Sequence, residues 1–170
     1  RFFTYCNDSP ESARGFLERA LELWPEDPAA LAAAGEAEDS AFEAARRALD
    51  RDAAARHFEA AGNFWRRLKK AAPNDYRSYA GLARLALVAG GPSAALAELR
   101  EGIERCAPPG RLELHYRLAD VLVAAGRFEE ARAELAELRT LDGASPGPQI
   151  LEARCLLREG RPQAALEGVS

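Results

Sequence analysis

His57 and His115 are the only histidines in this chain, and with Cys6, Cys106 and Cys155 they are the residues best suited to hold a metal or build a nucleophile. Their spacing supports neither. No Cys-x-x-Cys pair and no His-Glu-x-x-His helix is present, and neither histidine has a carboxylate or cysteine at ligand spacing. Three distant thiols do not make a disulfide framework. They read as small buried hydrophobes, which favours a reducing, cytoplasmic setting. His115 is expected to be a satisfied core or groove-edge residue, and His57 to face solvent. A Gly-x-Ser-x-Gly elbow is missing. The Gly-rich pieces "AGGPSAA" and "GASPGPQ" lack the Lys-Ser/Thr that a phosphate loop requires, and no strand precedes them. Carboxylates are numerous but scattered, with no sign of the shared cleft that paired acids and bases need. No catalysis, cofactor or metal is expected.

The basic cluster "FWRRLKK", Phe64 to Lys70, has two readings. Between Ser40 and Ala72 the cations outnumber the acids by eight to four, in a chain whose net charge is -4. An aromatic beside cations is one signature of nucleic-acid binding. The other reading makes Trp65 core and leaves Arg66, Arg67, Lys69 and Lys70 as a solvated helix end that complements the dipole. We adopt the second. The surface use that remains is a basic hairpin tip, Arg46, Arg47, Arg51 and Arg56, docking an acidic protein surface.

Such residues need elements to position them, and the composition points to helices. Of the 170 residues 48% are hydrophobic, enough for a core. Much of that share is Ala, the best helix former, and β-branched residues are scarce. No apolar run approaches the roughly 18 residues of a membrane span. Mixed charges give no general attraction to nucleic acid or anionic lipid. The chain begins at Arg1 without Met and stops inside the helical pattern "ALEGVS", which reads as an excerpt of something longer.

Three stretches superimpose: "YAGLARLALVAGGPSAALAEL" (79–99), "HYRLADVLVAAGRFEEARAEL" (115–135) and "QILEARCLLREGRPQAALEGV" (149–169). In each an Ala (Ala83, Ala119, Ala153) precedes a Gly (Gly90, Gly126, Gly160) by seven residues, and another (Ala95, Ala131, Ala165) follows it by five. The Gly-to-Gly steps are 36 and 34 residues. Apolar residues at helical spacing before the Gly make one amphipathic helix. The Gly closes it with left-handed backbone. A second helix starts at once, at Pro92, Pro162 or the Phe128-Glu129-Glu130 turn. The paired alanines allow two helices to approach closely.

On these marks the chain resembles the tetratricopeptide repeat family: the Leu82-Ala83 and Leu118-Ala119 pairs, the Gly126-x-Phe-Glu-Glu-Ala131 turn, and the Ala, Leu and Pro positions of the second helices. The Ala-, Arg- and Leu-rich style is that of a bacterial array. The fourth unit departs from the pattern, with Glu152 where the Leu belongs and Leu151 shifted by one. The resemblance implies an all-α fold, a right-handed superhelix of antiparallel helical hairpins forming one array over 1–170. Its parts would be a second helix at 9–25, with Asp8 and Glu11 as a capping box; an extended hairpin at 28–73; and repeats at 75–107, 111–142 and 146–170. The 48 residues from Pro25 to Pro73 exceed the family period of about 34 by two heptads. We read two long helices there, about 28–49 and 52–71, with Asp52 as the cap of the second. A cap at Ser40 with Glu43 leaves open a division into three shorter ones.

The resemblance further implies that the first helices line a concave groove that binds an extended peptide or a partner helix. The groove-facing residues would be Arg77, Ala80 and Arg84, then Glu113, Tyr116 and Asp120, then Ile150 and Arg154. One branch of the family clamps a C-terminal carboxylate with Lys and Asn. Here Asn occurs only at 7, 63 and 74, off these faces, so that mode is not expected. The rival to a binding module is a structural spacer in a larger protein, with its groove empty.

Overall fold

The structure, a computed structural model, describes residues 10–143 and 145–167. Among the described residues it is all helix: α1 (Pro10–Leu23), α2 (Pro28–Arg47), α3 (Arg51–Ala71), α4 (Tyr76–Val88), α5 (Pro92–Arg105), α6 (Gly110–Ala124), α7 (Phe128–Asp142), α8 (Gly147–Arg158) and α9 (Pro162–Glu167). They form an all-α helical repeat. The chain divides into two compact units, Arg1–Gly81 and Leu82–Ser170. Cys6 and Asp8, the first residue of the expected capping box, lie outside the described residues.

In the first unit α2 and α3 are two long helices packed along their length. Ser40 does not start a helix. It sits inside α2, where its hydroxyl donates to Glu36 O at 3.0 Å, as a helix-interior serine does. The cap of α3 is Asp50 rather than Asp52. Asp50 has extended backbone and accepts from Ala53 N at 2.9 Å, which places Asp52 in the first turn facing the positive end of the dipole. Asp27 caps α2 in the same way, with Pro28 at the first helical position. Leu31, Phe42, Ala61, Trp65 and Leu68 fill the interface, and the Phe42 and Phe58 rings meet at 5.6 Å between centroids.

Trp65 fixes this unit. Its indole N–H donates to Asp39 Oδ2 at 3.2 Å. Two other helices reach the ring at positions without a side chain. A Cβ on Gly35 of α2 would lie 2.8 Å from the indole, and one on Gly81 of α4 would lie 2.5 Å away. Trp65 is core, and the cations around it are spent locally. Arg67 donates to Pro25 O and lies 3.8 Å from Glu26, Arg66 donates to Asn63, and Lys69 stands 4.8 Å above the Tyr79 ring.

In the second unit successive helices pack in chain order from α5 to α9. The hinge glycines do what their spacing predicts. Gly90, Gly126 and Gly160 have φ of +80°, +72° and +77°. In each case the following N–H reaches back five residues, from Gly91 to Ala86 O, Arg127 to Leu122 O and Arg161 to Leu156 O, all at 2.9 Å. That bond closes a Schellman turn, and the left-handed residue is its requirement. The first unit makes the same turn after α2 with a leucine: Leu49 has φ +60°, and Asp50 N bonds to Ala45 O at 3.0 Å.

Candidate functional site

The first helices of successive hairpins, α6 and α8, touch each other as well as their own partners. Leu114, Leu118, Ala119 and Leu122 turn one side of α6 into the core, and Leu151 and Cys155 do so for α8. That packing leaves the opposite sides of α6 and α8 as a common surface. Asp120 and Arg154 meet across it, with N···O of 2.6 Å. One turn further on, Arg158 Nη2 donates to Ala124 O at 3.2 Å, covering one of the last carbonyls of α6.

Between these two contacts lies a cleft of about 250 Å³, lined by Val123, Ala124, Arg154, Leu157 and Arg158. Leu157 and Ile150 are exposed at 56% and 55%, on a helix that buries Leu151 and Cys155. The surface therefore joins uncovered aliphatic side chains to two guanidinium groups. The cleft is smaller than the roughly 300–1,000 Å³ of small-molecule sites and suits a single side chain of a larger partner.

Residues 107–155, from just before α6 into α8, match the family model described as a tetratricopeptide repeat. Over these residues the chain is similar to a tetratricopeptide repeat. No curated protein matches the chain. Tetratricopeptide repeats generally mediate protein–protein interaction or scaffolding, and are typically non-catalytic. No described helix is long and apolar enough to cross a membrane.

The array uses several of the expected groove residues for its own packing. Arg77 is held by Asp75, which accepts from its backbone N at 3.0 Å, from Nε at 3.0 Å and from Nη2 at 2.6 Å. Burial pushes the Asp75 carboxyl up, but these hydrogen bonds and the Arg77 charge outweigh it and hold the carboxyl below its ordinary value. Ala80 is buried and offers a ligand no surface. Arg84 is half-buried. Glu113 pairs with Arg117 along its own helix at 2.8 Å. Tyr116 turns its hydroxyl to the α7–α8 junction, donating to Asp142 Oδ2 at 2.7 Å. A Cβ on Gly147 would lie 2.8 Å from its ring. Burial, and then the bond to Asp142, raise the Tyr116 phenol above its usual value. Asp120 and Arg154 are the expected residues that the structure brings into contact, and Ile150 stands exposed one turn before Arg154 on α8. Val123, Ala124, Leu157 and Arg158 join them. The sequence carried a signal for these four, since they stand two and three residues before the hinge glycines Gly126 and Gly160.

The histidines are both structural. His57 does not face solvent: it is half-buried, with Nδ1 2.6 Å from Glu38 Oε2 across the α2–α3 interface. His115, 8% exposed, pairs through Nδ1 with Glu134 across α6 and α7. Each partner glutamate is 19 residues away in sequence, a distance that local spacing does not reveal. No group of three or more metal-ligating side chains occurs among the described residues. At the α2–α3 turn Arg46 pairs with Glu43 at 3.4 Å and lies over the Phe42 ring. Arg47, Arg51 and Arg56 are exposed beside Leu49, itself 86% exposed.

Proposed function

We propose that this tetratricopeptide array is a non-catalytic binding module, and that it takes a peptide or a partner helix on the first-helix face of its second unit. The observation that carries the reading is the pair Ile150 and Leu157. They are one α8 face, seven residues apart, and both are more than half exposed. An amphipathic helix gains nothing in folding from aliphatic side chains on its solvent side. They give a binder an apolar strip, and Arg154 and Arg158 give it orientation. The basic tip around Arg46, Arg47, Arg51 and Arg56 is a separate surface on a different unit.

The rival reading is a structural spacer. It draws on the Asp120–Arg154 pair and on the Arg132–Glu159 pair between α7 and the end of α8, which tie neighbouring hairpins to one another. Selection of peptides from a random 12-residue display library on the immobilised chain separates the two. A binding module enriches a peptide family that Ile150→Ala with Leu157→Ala releases while helicity by circular dichroism is unchanged. No enrichment over a bare support, or enriched peptides held equally by the double variant, refutes groove binding and leaves the spacer.

A further inference from the structure

We infer that the occupant of the α6–α8 cleft is an acidic–apolar peptide. Its aliphatic or aromatic side chain enters beside Leu157 and Ala124, and an adjacent Asp or Glu carboxylate is received by Arg158. The inference rests on the groove reading above and names the partner's chemistry. Its basis is an asymmetry between the two cations of the cleft. Arg154 already has a carboxylate, Asp120, at 2.6 Å. Arg158 has only a backbone carbonyl, Ala124 O, at 3.2 Å, and no carboxylate among the described residues lies within ion-pair distance of it.

A guanidinium has five N–H donors, and this contact uses one. The remaining donors keep the fork that a carboxylate accepts in bidentate fashion. Arg158 also stays exposed, so a peptide can reach it without displacing protein. It follows Leu157 directly and reaches the end of α6 through its hydrogen bond to Ala124 O. A ligand carboxylate on Arg158 therefore comes with its neighbouring side chain over the aliphatic floor of the cleft. A neutral peptide would fill the floor and leave the cation unmatched, and a basic one would meet two like charges.

The test uses the enriched peptides of the display selection on the full chain. The expected result is an Asp or Glu at fixed spacing from a Leu, Ile, Met or aromatic residue. A fluorescein-labelled member of the family should lose about tenfold or more in affinity when that acid is changed to its amide isostere. Arg158→Gln should bind both forms alike, while Arg47→Gln at the hairpin tip should keep the full preference. Enriched peptides that are neutral or basic overturn the inference and leave groove binding standing. A preference removed by Arg47→Gln but not by Arg158→Gln overturns it too, because the acid then docks on the tip. Absence of any enriched peptide removes the groove reading and this inference together.

Discussion

Gly81→Ala is a substitution for which two physical rules give opposite signs. In an open helix, Ala in place of Gly stabilises by about 1 kcal/mol through propensity and a less flexible unfolded chain. At position 81 the new Cβ would lie 2.5 Å from Trp65 Cε2 and 2.6 Å from Cδ2. The indole cannot easily retreat, because Gly35 of α2 brings backbone against the same ring and Asp39 holds its N–H. Overpacking of this kind costs about 1–3 kcal/mol, and with contacts this short the upper end applies. Less the propensity gain, the net is a destabilisation of about 2 kcal/mol, or a Tm lower by about 4–8 °C for a chain of this size. Thermal unfolding followed by circular dichroism reads it directly. Gly15→Ala, in α1 with nothing within 4 Å of the new methyl, is the control that should stabilise. In a Trp65→Leu background the penalty at 81 should largely vanish, since the two sites share one contact. A Tm that rises for Gly81→Ala in the native background refutes the reasoning: the glycine would then not be there to admit the indole.

Leu49→Gly should stabilise. The left-handed backbone costs a leucine about 1–2 kcal/mol, glycine gives back about 0.5–1 kcal/mol in unfolded-chain entropy, and an 86% exposed side chain has little burial to lose. Chemical denaturation should show a gain of up to about 1 kcal/mol, and a loss would mean that Leu49 packs on something. Asp50→Ala should cost about 1 kcal/mol as a lost cap, and Asp52→Ala about half of that or less; equal losses in the same assay would contradict the cap assignment. The Asp75–Arg77 contact should be acid-labile. A carboxyl held below its ordinary value in the folded state contributes stability above the unfolded value near pH 4, and loses it as pH falls through the folded value. The Tm difference between wild type and Arg77→Ala should accordingly be full above about pH 5 and shrink below about pH 4. A difference that is flat with pH would contradict the assignment.

The repeat was legible because it rests on local rules. Gly90, Gly126 and Gly160 announce their left-handed turns, and Ala119 with Ala131 marks a close helix contact. Trp65 as core was legible too, with Arg66, Arg67, Lys69 and Lys70 read as the helix end around it. What escaped the sequence was the use of each polar side chain. Asp75 sits two residues before Arg77 and takes it out of the groove. Asp142 claims the Tyr116 hydroxyl across 26 residues. Glu38 and Glu134 reach their histidines only once the hairpins are folded. Leu49 hid a glycine's turn because nothing in its type signals a left-handed backbone. Leu157 and Arg158 were within reach of the periodicity, three and two residues before Gly160.

Peptide binding between α6 and α8 on the first-helix face can be read residue by residue. It is tested most directly by amide chemical-shift mapping of an enriched peptide titrated into the ¹⁵N-labelled chain. The largest shifts should fall on Val123, Ala124, Ile150, Arg154, Leu157 and Arg158. Shifts centred on the second helices α5 and α7, or on the hairpin tip from Arg46 to Arg51, would contradict it.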